Sequence, residues 1–152
     1  MSVIESRISL KGLKQRFATA TLPTEAQRRG FWKARFIGPL WLRLGGMPSC
    51  YLGGLWGWLG KKFLTADSAT NVLARGAGTI YALSMQARVQ PSALDGGAVV
   101  ALTYGASGPI PWRWVTDELR ALDEHTLLGM TRLDLPLLRG LAFPFLLERE
   151  PS

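Results

Sequence analysis

Thr79–Gln90 reads TIYALSMQARVQ, and its alternation decides the fold. Tyr81, Leu83, Met85, Ala87 and Val89 fall on one side of an extended chain, with Ser84, Gln86 and Arg88 on the other. Successive side chains of a strand point to opposite faces, so a period of two marks a strand with one buried face. The same period recurs in both directions along the chain. Gly30–Ile37 sets Trp32, Ala34 and Phe36 against Phe31, Lys33 and Arg35, and Leu141–Arg149 carries Phe143, Phe145 and Leu147 on one side. Ala98–Tyr104 is apolar on both faces, Pro111–Leu122 and His125–Leu133 alternate, and Trp58–Thr65 and Asn71–Arg75 are shorter candidates. Turn residues separate these runs at Ala93–Gly97, Gly105–Pro111 and Asp123–Glu124. About eight short strands so spaced predict an all-β domain, and eight up-and-down antiparallel strands close into a barrel.

Upstream the period is helical. Ile4, Ile8, Leu10, Leu13 and Phe17 recur at helical spacing with Arg7, Lys11, Lys14 and Arg16 between them, and Pro23 ends the pattern. Two regions follow: a basic amphipathic helix over 1–24 and a barrel over 25–152. Of 152 residues 47% are hydrophobic, enough for one core without disulfides. The net charge of +7 is unevenly spread. Residues 1–62 carry eleven Lys/Arg against two acids, and 63–152 carry seven against nine. Such asymmetry fits a solvated basic face or weak contact with a membrane surface through the helix. The single cysteine, Cys50, and an N-terminus without an apolar signal-like core point to a cytoplasmic setting.

Gly38–Gly57 follows neither period. It is broken by Gly and Pro yet rich in Leu, Trp and Tyr, which suits an apolar lid over a barrel mouth. The uncharged run Leu44–Gly60 has seventeen residues, six of them Gly, and such a composition makes a poor spanning helix.

Three stretches carry a resemblance. Gly30-Phe31-Trp32-Lys33-Ala34 resembles the opening GXWXG signature of a bacterial lipocalin-like family of unknown function. Trp58-Leu59-Gly60-Lys61-Lys62-Phe63 is similar to that family's W-x-G-K-[RK]-F element. Asp117–Asp123, followed by Thr126-Leu127-Leu128-Gly129-Met130, resembles its D-x-F-R-x-V-D…T-x-L-G-x-M stretch. Ala34, Leu119 and Thr131 depart from the pattern. The resemblance implies a lipocalin-like (calycin) antiparallel barrel and supplies no reaction. Gly30-x-Trp32 also resembles the G-x-W at the first strand of lipocalins, which implies that Trp32 plugs one barrel end beneath an arginine from the last strands, either Arg132 or Arg149. A guanidinium stacked on an indole is a sound seal.

Catalytic signals are sparse. One His and one Cys cannot assemble a zinc site, so neither a metal nor a cofactor is expected. A Cys50–His125 nucleophile pair is conceivable, although Cys50 reads better as an inert small hydrophobe and His125 as a surface histidine at a turn. On a strand through Trp112, Trp114, Thr116, Glu118 and Arg120, Asp117 takes the opposite face from Glu118, so only one of the two acids points inward. An interior carboxylate would serve as a ligand anchor or a general acid or base. The apolar neighbours Val115 and Leu119 argue for Asp117, the Trp112–Trp114 face argues for Glu118, and the alternation alone leaves the two open. The resemblance covers Asp117 and Arg120 but not Glu118. Lys61 and Lys62 likewise alternate, and a lysine pair beside Trp58 reads first as a solvated edge. Basic residues among aromatics at Phe31–Phe36 and Trp112–Trp114 come without a recognition motif, so nucleic acid is not expected.

The leading reading is a binder of an apolar small molecule, held in the barrel under the lid. Phe36, Trp56, Tyr81, Leu83, Met85, Tyr104, Trp114 and Phe145 would line it, with Asp117, Glu118 or Arg120 fixing its orientation. A cofactor-independent cyclase or isomerase using Asp117, Glu118 or Arg120 is the enzymatic alternative. A basic module for membrane-surface or protein contact is the third.

Overall fold

The computed structural model describes residues 9–37, 55–106, 108–136 and 142–149. Strands β1 (Gly30–Phe36), β2 (Trp58–Thr65), β3 (Ser68–Arg75), β4 (Gly78–Pro91), β5 (Ala98–Thr103), β6 (Val115–Asp123), β7 (Thr126–Leu133) and β8 (Ala142–Glu148) pair in chain order. β1 also pairs antiparallel with β8, which closes the ring and leaves no strand edge open. The fold is a closed eight-stranded antiparallel barrel of lipocalin-like type, with helix near its N-terminus.

Among the described residues that helix ends earlier than the sequence pattern predicts, while Ile4, Arg7 and Ile8 lie outside the described residues. Helix α1 spans Leu10–Thr19, with Ser9 Oγ accepting from Gly12 N at 3.1 Å as its N-cap. It stops before Pro23 because Ala20 turns extended and Thr21 bonds Ala121 of β6 in both directions. A short helix α2 (Glu25–Arg28), capped by Thr24, then leads into β1. Leu13 and Phe17 are buried against Val99, Leu128, Met130 and Leu146 on the outside of the barrel. The apolar stripe of α1 is therefore occupied by its own barrel, which leaves Lys11, Lys14 and Gln15 to line a shallow surface groove. No helix among the described residues is long and apolar enough to cross a membrane.

Two bulges re-aim the interior. Trp58 pairs with Leu73 while Gly60 pairs with Val72, so β2 carries an extra residue. Ala69 pairs with Met85 while Asn71 pairs with Ala82, so β4 carries another, around Leu83 at φ 58°. Each bulge flips the inward parity of the residues beyond it.

The registers stack the interior into levels. At the end with α2 and the 66–67, 92–97 and 124–125 turns lie Trp32, Phe63, Val100, Leu119, Ala121, Leu127 and Leu147. A polar level follows, and beyond it lie Phe36, Trp58, Leu73, Tyr104 and Val115. Gly60 lies so close to β1 that an added Cβ would fall 1.9 Å from the Trp32 carbonyl oxygen, so only glycine fits there.

Candidate functional site

Trp32 closes one end. Its indole is fully buried, donates from Nε1 to the Arg28 carbonyl at 2.8 Å, and lies under the Arg149 guanidinium at 4.4 Å. Arg149 in turn donates to the Arg29 carbonyl, which fixes the guanidinium over the ring. Arg132, the other arginine considered for this place, points outward and binds Glu118 Oε2 at 2.7 Å instead.

The polar level sits above this plug. Lys61 of β2 is 2% exposed, and its ammonium bonds Asp117 Oδ2 of β6 and Asn71 Oδ1 of β3, each at 3.0 Å. It also lies 3.5 Å from both Met85 Sδ and the Tyr104 hydroxyl. The other Asp117 oxygen accepts from Thr131 Oγ1 at 2.7 Å. Asn71 Oδ1 additionally accepts from Trp58 Nε1 at 3.1 Å. Lysine and indole are obligate donors, so they fix the amide's orientation. Asn71 Nδ2 must then donate, and it does so to the Leu83 carbonyl at 3.3 Å and to Tyr104 Oη at 3.1 Å. The β4 bulge at Leu83 brings that carbonyl to the amide. Burial works against charge on Lys61, but the Asp117 carboxylate and Tyr104 hold its pKa above the ordinary lysine range. Burial, reinforced by Asp117, raises the Tyr104 phenol and keeps it protonated.

Rings stand on the side away from Trp32. Trp58 packs on Phe36 at 5.5 Å and edge-on to Phe145 at 6.2 Å, and Tyr104 packs on Trp112 at 5.6 Å. The Lys61 ammonium is 5.5 Å from the Trp58 ring centre and 5.9 Å from that of Tyr104. The barrel thus holds an internally neutral polar level next to a cluster of aromatic rings.

Of the lining residues read from the sequence, Phe36, Leu83, Met85, Tyr104 and Phe145 belong to the interior cluster. Others do not. Tyr81 is 53% exposed and accepts from Lys62 Nζ at 2.9 Å on the outer face, because the β4 bulge reverses the parity beyond Leu83. Trp56 is 48% exposed and stacks under Arg75 at 3.3 Å. Trp112 and Trp114 lie in a 3-10 turn before β6, not in the strand, so Trp114 shares no face with Glu118.

Of the three polar candidates on β6, Asp117 faces inward, and Glu118 and Arg120 face outward. Glu118 is fully buried beneath the 92–97 turn, held by Ser92 Oγ, Ala93 N and Arg132 Nε. Arg120 binds both Asp95 oxygens at 2.6 and 2.7 Å, donates to the Phe17 and Ala98 carbonyls, and lies 4.5 Å over the Phe17 ring. It clamps α1 and the turn to the barrel and cannot orient an interior ligand. Lys61 overturns the solvated-edge expectation; Lys62 is the exposed one of the two. His125 is half-buried, while Cys50 and most of the 38–57 lid segment lie outside the described residues.

No family model matches this chain, and no curated protein does. A crystal structure of a protein from Thermomonospora curvata is similar to it, with a TM-score of 0.65 and 19% identity. The match covers 95% of this chain and 90% of that one. The likeness is one of fold, and it agrees with the closed eight-stranded lipocalin-like barrel.

Proposed function

We propose that the barrel binds an apolar small molecule in its aromatic half, seated on the Lys61–Asp117 level. The observation that carries this reading is the buried pair itself. Two charges removed from water cost several kcal/mol each, on the order given for buried ions, and hydrophobic residues of similar volume commonly serve stability as well or better. A fully buried Lys–Asp contact under Trp58, Phe36 and Tyr104 is better explained by a ligand than by folding. The single cysteine suits the cytoplasm as the setting. Acid–base catalysis on Asp117 is the weaker reading, because both its oxygens already hold donors.

Uptake of the apolar fluorophore N-phenyl-1-naphthylamine tests this. Saturable binding at one site per chain is expected, weakened about tenfold or more by Phe36→Asp and unchanged by Tyr81→Ser on the outer face. Uptake that Tyr81→Ser abolishes and Phe36→Asp leaves intact would move the site outside the barrel and end the proposal.

A further inference from the structure

The donors and acceptors of the polar level assign every hydrogen but one. Lys61 and Trp58 saturate Asn71 Oδ1, and the two amide hydrogens of Asn71 go to Leu83 O and Tyr104 Oη. Tyr104 Oη thus faces two donors, Asn71 Nδ2 at 3.1 Å and Lys61 Nζ at 3.5 Å. A phenol oxygen that accepts from both must turn its own O–H elsewhere, and among the described residues nothing accepts it. Two donors drawing on the oxygen also make that O–H a stronger donor.

We propose that Tyr104 is the polar contact of the bound molecule, and that the molecule presents it with an uncharged carbonyl oxygen. This rests on the reading that the barrel binds an apolar ligand. The chemistry of the level narrows the class, because what it leaves unpaired is a donor. A ligand alcohol or amine would bring a further hydrogen, which would have to share Leu83 O or an Asp117 oxygen with a donor already there, since Asn71 Oδ1 holds two. A carboxylate would lack a counter-charge, because Asp117 already neutralises Lys61. A ketone, aldehyde, ester or quinone accepts one hydrogen bond and donates none, which matches what Tyr104 offers.

Two planar probes that differ only at this group, 9-fluorenone and fluorene, test the inference on the purified chain. Fluorenone should bind more tightly than fluorene, and Tyr104→Phe should weaken fluorenone about tenfold while leaving fluorene unchanged. The carbonyl stretch of fluorenone bound to the unmodified protein should lie below its position in an aprotic solvent, a readout that needs no variant. If both probes bind alike and the carbonyl band is unshifted, the Tyr104 assignment falls while apolar binding stands. If neither probe binds, the binding reading and this inference fall together.

Discussion

Lys61 on β2 and Asp117 on β6 stand four strands apart in the eight-membered ring and meet at 3.0 Å, so their ion pair crosses the barrel. Removing one partner strands the other charge in the core. Lys61→Met or Asp117→Leu alone should lower stability by about 3–5 kcal/mol in urea unfolding. The double replacement should return to within about 1 kcal/mol of the parent or exceed it, since apolar groups of similar volume often replace buried pairs without loss. A double variant as unstable as either single one would make the pair structural and weaken the case for a site. The alkaline limb carries a sign. The folded-state pKa of Lys61 is raised above the ordinary lysine value of 10.5, so its contribution is present below that value and declines as pH rises through the folded one. The parent should therefore lose ground to the double variant only above about pH 10.5.

Trp32 bears on the closed end. Trp32→Ala should cost about 3–5 kcal/mol, the range for truncating a buried aromatic. Arg149→Ala should cost less, about 0.5–2 kcal/mol, because it removes the cation from the ring face and leaves the indole in place. A loss below about 1 kcal/mol for Trp32→Ala would show that the indole does not close the barrel.

The ring of eight strands was legible because short runs with a period of two, or apolar on both faces as in β5, are separated by Gly, Pro and Asp at turn-like spacing. The parity of individual residues was not legible across the bulges. Strict alternation sets Trp58 and Lys61 on opposite faces, yet the extra residue near Leu59 turns both inward. In the same way Tyr81 shares a parity with Met85 in sequence and loses it in the barrel. A bulge is set by pairing with the neighbouring strand, so a single strand's pattern carries little trace of it. Alternation in β6 puts Asp117 and Glu118 on opposite faces but leaves open which one is inward, because Val115 and Leu119 argue for Asp117 and Trp112 and Trp114 for Glu118. The two tryptophans lie in a 3-10 turn outside the strand, and β6 runs regularly from Val115 to Ala121 with Asp117 inward. The Asn71–Tyr104 contact joins β3 to the segment after β5 and has no local signal at all.

Gly129 and Phe145 face each other on β7 and β8. A Cβ at Gly129 would fall 2.3–2.6 Å from the Phe145 ring, so the glycine makes room for the aromatic that packs on Trp58. Gly129→Ala should destabilise by about 1–3 kcal/mol through overpacking. Adding Phe145→Leu should recover part of that loss, and the double-mutant coupling measures how much of the cost is the clash. Two independent, additive losses would mean that the ring moves aside freely.

Asp95 and Arg120 join the 92–97 turn, β6 and α1, and their contact sets an acid limit on the docking of that helix. The Arg120 hydrogen bonds, opposed by burial and aided by the Gly97 amide, hold the Asp95 pKa below the ordinary aspartate value of 3.8. A group whose folded pKa is depressed contributes stability that is present above its unfolded value and is lost as pH falls through the folded one. At pH 7 Asp95→Asn should therefore be less stable than the parent, and the two urea midpoints should converge as the solution is acidified below about pH 4. Arg120 also donates to the Phe17 carbonyl and covers its ring, so loosening should appear first in α1. Amide exchange within Leu10–Thr19 should accelerate in Asp95→Asn at neutral pH, and in the parent only on acidification. Midpoints that stay parallel from pH 7 to pH 2.5, with α1 exchange unchanged, would show that the helix is held by Leu13 and Phe17 packing alone.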